Sequence, residues 1–149
     1  VKVFTIGHST KSLEDFINLL KKYGIKLVID VRHYPSSKHH PWFSKESLKK
    51  SLENEGISYE WIEELGGFRK GGYIAYMQTS EWKNGIERLM KVANENTVIM
   101  CAEILWWKCH RKFIADYLVE KGWEVIHIID DKMQTHRLYE KRDVKIKCE

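Results

Sequence analysis

Two kinds of segment alternate along this chain almost from end to end, and that alternation constrains its fold more than any other feature. Val3–Ile6, Leu27–Val31, Ile57–Ile62, Val98–Ala102 and Glu124–Ile129 have strand length and strand-like apolar content. Between them lie segments of helical period. Leu13, Phe16, Ile17 and Leu20 fall at i, i+3, i+4 and i+7, and Trp82, Ile86, Leu89, Met90 and Ala93 form a second apolar stripe. Cys109–Lys121 is the last core helix. Leu27–Val31 is apolar up to Asp30, as expected of a strand covered on both faces. Five strands separated by helices imply an α/β fold with a mainly parallel, five-stranded, doubly wound sheet, flavodoxin-like or Rossmann-like.

The punctuation agrees. Ser12 is a good N-cap with Asp15 three residues on, and Gly24 is placed to stop that helix. Ser44 caps another helix, with Phe43 and Leu48 spaced as a hydrophobic staple, and Gly56 ends it. Pro35–Pro41 interrupts regular structure. Leu65–Met77 holds Gly66, Gly67, Gly71 and Gly72 and reads as an irregular loop. The 149 residues fit one domain, with a core from 3 to 129 and a mixed-charge tail from 130 to 149. A short helix against the domain is expected in the tail, whose charges are too balanced for a nucleic-acid-binding arm.

Composition excludes some classes. At 43% apolar and 31% charged residues the chain is globular rather than disordered. No run approaches the roughly 20 apolar residues of a membrane span. The amino end has no signal-peptide pattern, so a cytoplasmic location is the expectation. Cys101, Cys109 and Cys148 match no zinc spacing, and reduced thiols are expected.

Ligands of open parallel sheets bind outside the carboxyl ends of the strands. That rule selects Gly7-His8-Ser9 after the first strand, Asp30-Val31-Arg32 after the second and Cys101-Ala102-Glu103 after the fourth. Cys109-His110-Arg111 follows at the start of a helix, where amide groups and neighbouring cations favour a thiolate. Cys101 and His127 sit in apolar strands and read as core residues. The glycines around Phe68-Arg69-Lys70 suit either an anion nest or flexible turns. Trp42, Trp106 and Trp107 fall in loops near the rim, as stacking surfaces or a partner interface.

Taken in order, Thr5-Ile6-Gly7-His8-Ser9, Asp30-Val31-Arg32 with Pro35 and Ser37, Leu65-Gly66-Gly67, Tyr76-Met77, Met100-Cys101-Ala102-Glu103, Cys109-His110-Arg111 and Val125-Ile126-His127-Ile128 resemble the domain-of-unknown-function 488 family. The resemblance runs from Val3 to about Ile128. It implies the α/β fold and the grouping of these residues, and no particular activity. In that family the stretch before Cys-His-Arg usually carries an acidic residue and a proline. Here Ile104-Leu105-Trp106-Trp107-Lys108 keeps the length and loses the polarity, which suggests an apolar ligand wall or a protein contact. A weaker similarity to rhodaneses, in Ile29-Asp30-Val31-Arg32 and Cys101, fails at the active-site loop, because Arg111 comes ten residues after Cys101.

The leading expectation is an enzyme or enzyme-like domain acting on an anionic small molecule or nucleotide. Arg32 and Arg111, with His8 and Ser9, would hold the anion. Asp30, Glu103 and His110 are acid/base candidates and Cys109 a nucleophile. A second reading is a nucleic-acid or protein-binding module. From Arg32 to Ser51 there are five basic residues against Glu46 alone, which accounts for the whole formal excess of +4. A third is a metal site drawn from His8, Cys101, Cys109, His110 or His127. No cofactor fingerprint is present, and a homo-oligomer or protein partner stays open.

Overall fold

The computed structural model describes residues 1–138. Its six strands are β1 (Lys2–Gly7), β2 (Leu27–Asp30), β3 (Ser58–Trp61), β4 (Thr97–Cys101), β5 (Glu124–Ile129) and β6 (Lys132–Thr135). The helices are α1 (Leu13–Lys22), α2 (Lys45–Asn54), the single turn α3 (Tyr73–Tyr76), α4 (Ser80–Val92) and α5 (Arg111–Glu120). The sheet order is β3-β2-β4-β1-β5-β6. The first five strands are parallel, and β6 returns antiparallel on β5. The α/β class and the doubly wound, mainly parallel sheet are as expected. The order departs from the flavodoxin pattern by placing β4 between β2 and β1 and β3 outside β2.

Side-chain alternation along the strands builds two cores. Phe4 and Ile6 of β1, Val28 of β2 and Val98 and Met100 of β4 pack with Phe16, Ile17 and Leu20 of α1 and Leu48 and Leu52 of α2. Val3, Ile29, Ile99 and Cys101, from the intervening positions, pack with Trp82, Ile86 and Leu89 of α4 and Ile114 and Leu118 of α5. Helices therefore cover both faces, and the strands can be apolar throughout.

Local signals behave as their chemistry requires. The Ser12 hydroxyl accepts the Asp15 amide at 3.1 Å, a cap worth about 1 kcal/mol. Phe43 and Leu48 are both fully buried in one core. Two local expectations need correction. Ser44 stands at the N-cap of α2 but its hydroxyl accepts the Ser37 amide instead, tying down the proline-bounded loop. The glycine-rich loop contains α3, because Tyr73 and Tyr76 are drawn into the core. The start of the tail forms β6 along the edge of β5. The short helix expected in the tail falls on the rest of it, which lies outside the described residues. No helix among them is long and apolar enough to cross a membrane.

Candidate functional site

Three neighbouring strands deliver the site. Gly7 pairs with Cys101 and Asp30 with Met100, so β1, β4 and β2 end level with one another. Pairing continues past their ends: the amides of His8, Ser9 and Val31 donate to the carbonyls of Cys101, Ala102 and Met100 at 2.8–2.9 Å. Two glycines allow the loops to close over this rim. A Cβ on Gly7 would lie 1.9 Å from the Glu103 carbonyl oxygen, and one on Gly66 2.5 Å from the His33 Cα.

A pocket of about 140 Å³ opens at the rim. His8, Arg32, Cys101, Ala102 and His110 come from the strand ends and the helix start. His33, Tyr34, Ser36 and Ser37 come from the loop after β2, and Phe68 from the loop after β3. A larger depression of about 360 Å³ between α1 and Asp130–Asp131 is a shallow surface groove, and an ion pair between Lys11 and Asp130 crosses it.

Arg32 is held rigidly. Its Nε and Nη2 donate to Asp30 Oδ1 and Oδ2 at 2.9 and 2.7 Å, and its own amide donates to Oδ1 at 3.0 Å. The Tyr59 hydroxyl also donates to Oδ2. Asp30 is fully buried, and these four donors supply the pairing that a buried carboxylate needs. Burial and the Asp30 charge push the Tyr59 phenol up. Burial would lower the Arg32 pKa, but Asp30 outweighs it and raises it. Arg32 Nη1 contacts His8 Nε2 at 3.3 Å. His8 Nδ1 lies 2.9 Å from the Ser9 carbonyl, which can only accept, so Nδ1 carries the hydrogen and Nε2 accepts from Arg32. Burial first, and the Arg32 charge second, lower the His8 pKa to about 4, and its neutral ring stacks on Phe43 at 4.3 Å. Asp30 and His8 thus fix the Arg32 guanidinium, Tyr59 lies against it, and the side chain lines the pocket.

On the other side stand two thiols and an imidazole. The sulfurs of Cys101 and Cys109 are 2.8 Å apart. His110 Nδ1 is 3.3 Å from Cys109 Sγ, and His110 Nε2 is 2.6 Å from the Val31 carbonyl. That carbonyl fixes the hydrogen on Nε2, so Nδ1 faces the sulfur as a base, or as a donor once protonated. Burial would lower the His110 pKa, but Cys109, with Cys101 and the Val31 carbonyl, raises it to about 9. Burial and the Cys109 contact push the Cys101 thiol up. Arg111 is buried against the same sulfurs, and they raise its pKa despite desolvation. Its Nη groups donate to Thr5 Oγ1 at 2.9 Å and to the carbonyls of Glu103 and Ile104 at 2.6 and 3.2 Å. Its Nε is buried without a partner among the described residues.

Thr5 continues away from the pocket. Its hydroxyl is 2.6 Å from His127 Nδ1, His127 Nε2 is 2.8 Å from His136 Nδ1, and His136 Nε2 is 2.6 Å from Asp116 Oδ1. Trp106 stacks on His127 with ring centres 4.5 Å apart. Burial first, then His136 and Arg111, lower the His127 pKa to about 2.

The rim rule therefore locates the pocket, and five of the eight selected residues take other places. His8, Arg32 and His110 line it. Asp30 stands behind Arg32, and Cys109 behind Cys101. Ser9 contributes the carbonyl that orients His8. Arg111, expected beside Arg32 on an anion, is turned under the loop after β4. Glu103 supplies backbone to Arg111, and its carboxylate accepts the Leu105 amide at 3.4 Å. Cys109 is extended and precedes α5, so its setting comes from His110 and Arg111 rather than from the helix end. His127 is a satisfied core histidine, as expected. Trp106 is buried on it and is neither ligand wall nor exposed platform. Arg69 fills its own glycine-rich loop, donating to the carbonyls of Gly66 and Glu63. No group of three or more His, Cys, Asp or Glu among the described residues is arranged to hold a metal ion. Cys101 stood at a strand end in the sequence but was read as core, whereas it lines the pocket. Tyr34, Ser36, Ser37 and Phe68 were not selected, and extending the strand-end rule into the loops after β2 and β3 would have found them.

Two crystal structures of a Shewanella putrefaciens CN-32 protein described as "Putative phosphatase (DUF442)" share this architecture. They superpose with TM-scores of 0.50 and 0.52 at 16% identity, over 79% of this chain. The chain spans 66% and 63% of their length, and the likeness is one of fold. No curated protein matches the sequence. The family model described as "Domain of unknown function DUF488" matches residues 12–118, which include Asp30, Arg32, the two thiols, His110 and Arg111. On that match, which takes in most of the chain, the protein belongs to the DUF488 family.

Proposed function

We propose that this domain is enzyme-like and binds a small anion, or the anionic group of a nucleotide, in the rim pocket. The observation that carries the reading is Arg32. Its guanidinium is locked by Asp30 and lines the pocket, where a ligand can reach it. A planar guanidinium held in this way suits phosphate or carboxylate. His110 adds a second cation on the opposite wall, and Ser36 and Ser37 supply hydroxyls. His110 is the acid/base candidate, whereas His8 and Asp30 are positioning residues. The fold-level neighbour's description is a reason to include phosphate among the probes. The means would differ from a cysteine-to-arginine phosphate cradle, because Arg111 is spent on loop carbonyls. The nucleic-acid alternative is weakened, because Arg32 turns inward and leaves the segment's surface charge to its lysines.

Calorimetric titration with inorganic phosphate and with adenosine monophosphate tests the proposal. Saturable binding of at least one is expected, at least tenfold weaker in the paired variant Asp30→Asn/Arg32→Gln and unchanged in Arg69→Gln. Absence of saturable binding by both probes, or equal binding by the paired variant, overturns it.

A further inference from the structure

We propose that Cys101 and Cys109 are a redox pair that closes to an intramolecular disulfide when a hydroperoxide enters the rim pocket. This goes beyond the anion-binding reading and does not depend on it. The sulfurs sit 2.8 Å apart, and reaching the S–S bond length of about 2.05 Å takes a shift of less than about 1 Å. The two cysteines lie on the same side of the sheet, at the end of β4 and just before α5. Both are buried, but Cys101 lines the pocket and Cys109 does not. This is the division of labour of an attacking and a resolving thiol.

Three groups serve the chemistry. His110 Nδ1, oriented by the Val31 carbonyl, is within reach of the Cys109 proton. The Arg111 guanidinium places a permanent positive charge beside both sulfurs, which favours ionising one of them. Its unpartnered Nε is a buried donor at a site where negative charge on sulfur would develop. The pocket, at about 140 Å³, has room for hydrogen peroxide beside Cys101.

His110 already holds one proton of the thiol pair, and the proton left between the sulfurs passes to Cys109. Cys101 sulfur attacks one peroxide oxygen, and the O–O bond breaks. The departing hydroxide takes the proton from His110 and leaves as water, which makes Cys101 a sulfenic acid. The Cys109 sulfur then attacks Cys101 Sγ, the S–O bond breaks, and hydroxide leaves with the Cys109 proton as a second water. Two thiols lose two electrons and the peroxide gains them. An external dithiol reverses the change.

The test uses the full chain carrying Cys148→Ser, treated with hydrogen peroxide. Free thiols should fall from two to none, peptide mapping should join Cys101 to Cys109, and dithiothreitol should restore both. Adding Cys109→Ser should leave a sulfenic acid on Cys101 that dimedone traps. Adding Cys101→Ser should slow thiol oxidation at least tenfold. If no Cys101–Cys109 bond forms, or if it forms equally fast in urea-unfolded protein, the proposal is overturned. Phosphate titration of the same reduced protein reports on the anion reading separately.

Discussion

Two polar clusters lie on either side of β1, and they differ in what they leave over. The network from Arg111 through Thr5, His127 and His136 to Asp116 contains a cation, a hydroxyl, two imidazoles and a carboxylate. By composition it is at least as site-like as the rim. Its hydrogen bonds run one way, from the guanidinium to the carboxylate, and Trp106 seals it. The rim cluster of His8, Arg32, Cys101 and His110 is equally well anchored, by Asp30, Ser9 and Val31, yet opens to a pocket. Titratable residues in a cleft mark a site when anchoring leaves donors or nucleophiles facing space, and mark structure when the anchoring consumes them.

Acid tests the comparison with the largest effect. His8 and His127 are held neutral in the fold, with pKa lowered to about 4 and about 2. The unfolded chain protonates both near 6.5, so it binds more protons as pH falls and stability drains away. Stability is full above pH 6.5 on this account. Below it each histidine should cost on the order of 1.4 kcal/mol per pH unit. The His8 loss should level off near pH 4, while the His127 loss continues towards pH 2. Urea melts from pH 7 to 4 should show the fall, at a smaller slope in His8→Asn. A flat profile would break the account. His110 has the opposite sign: its raised pKa contributes stability below 6.5 that is lost as pH rises through about 9.

Next in size is Arg32→Gln. It strands the Asp30 carboxylate in the interior and should cost about 3–5 kcal/mol. Asp30→Asn/Arg32→Gln should recover more than half of that while still failing to bind phosphate. If the single variant melts with the wild type, Asp30 is not held as described. On the network side, His127→Gln should cost about 1–3 kcal/mol by unpairing Thr5 or His136, with phosphate binding unchanged. A change in phosphate affinity there would mean that the two clusters are one. The smallest effect belongs to the pocket mouth. Tyr34 and Phe68 are 64% and 59% exposed, so Tyr34→Ala and Phe68→Ala should stay within about 0.5 kcal/mol of wild-type stability. A loss of nucleotide affinity relative to inorganic phosphate in these variants would identify a nucleobase on that edge.

Much of the fold was legible because its causes are local or periodic. Strand-length runs, helical stripes, the Ser12 cap and the positive-φ glycines at 24, 56 and 122 each act within a few residues. The rim was legible too, because parallel strands place all their carboxyl ends on one side. The partition within the rim was not. Cys101 reads as one more small residue in an apolar strand until Cys109, eight residues on, is brought against it. Arg32 and Arg111 are equivalent in sequence. They part company because one is locked by Asp30, two residues before it, and lines the pocket, while the other must satisfy the carbonyls of a loop lying on Gly7. Thr5 and His127 look like interruptions in two strands until β1 and β5 pair and set them side by side. What the chain determines by itself is which groups stand at the strand ends. Which of them face a ligand is a question of leftover hydrogen bonds, and those are settled only when distant segments pack.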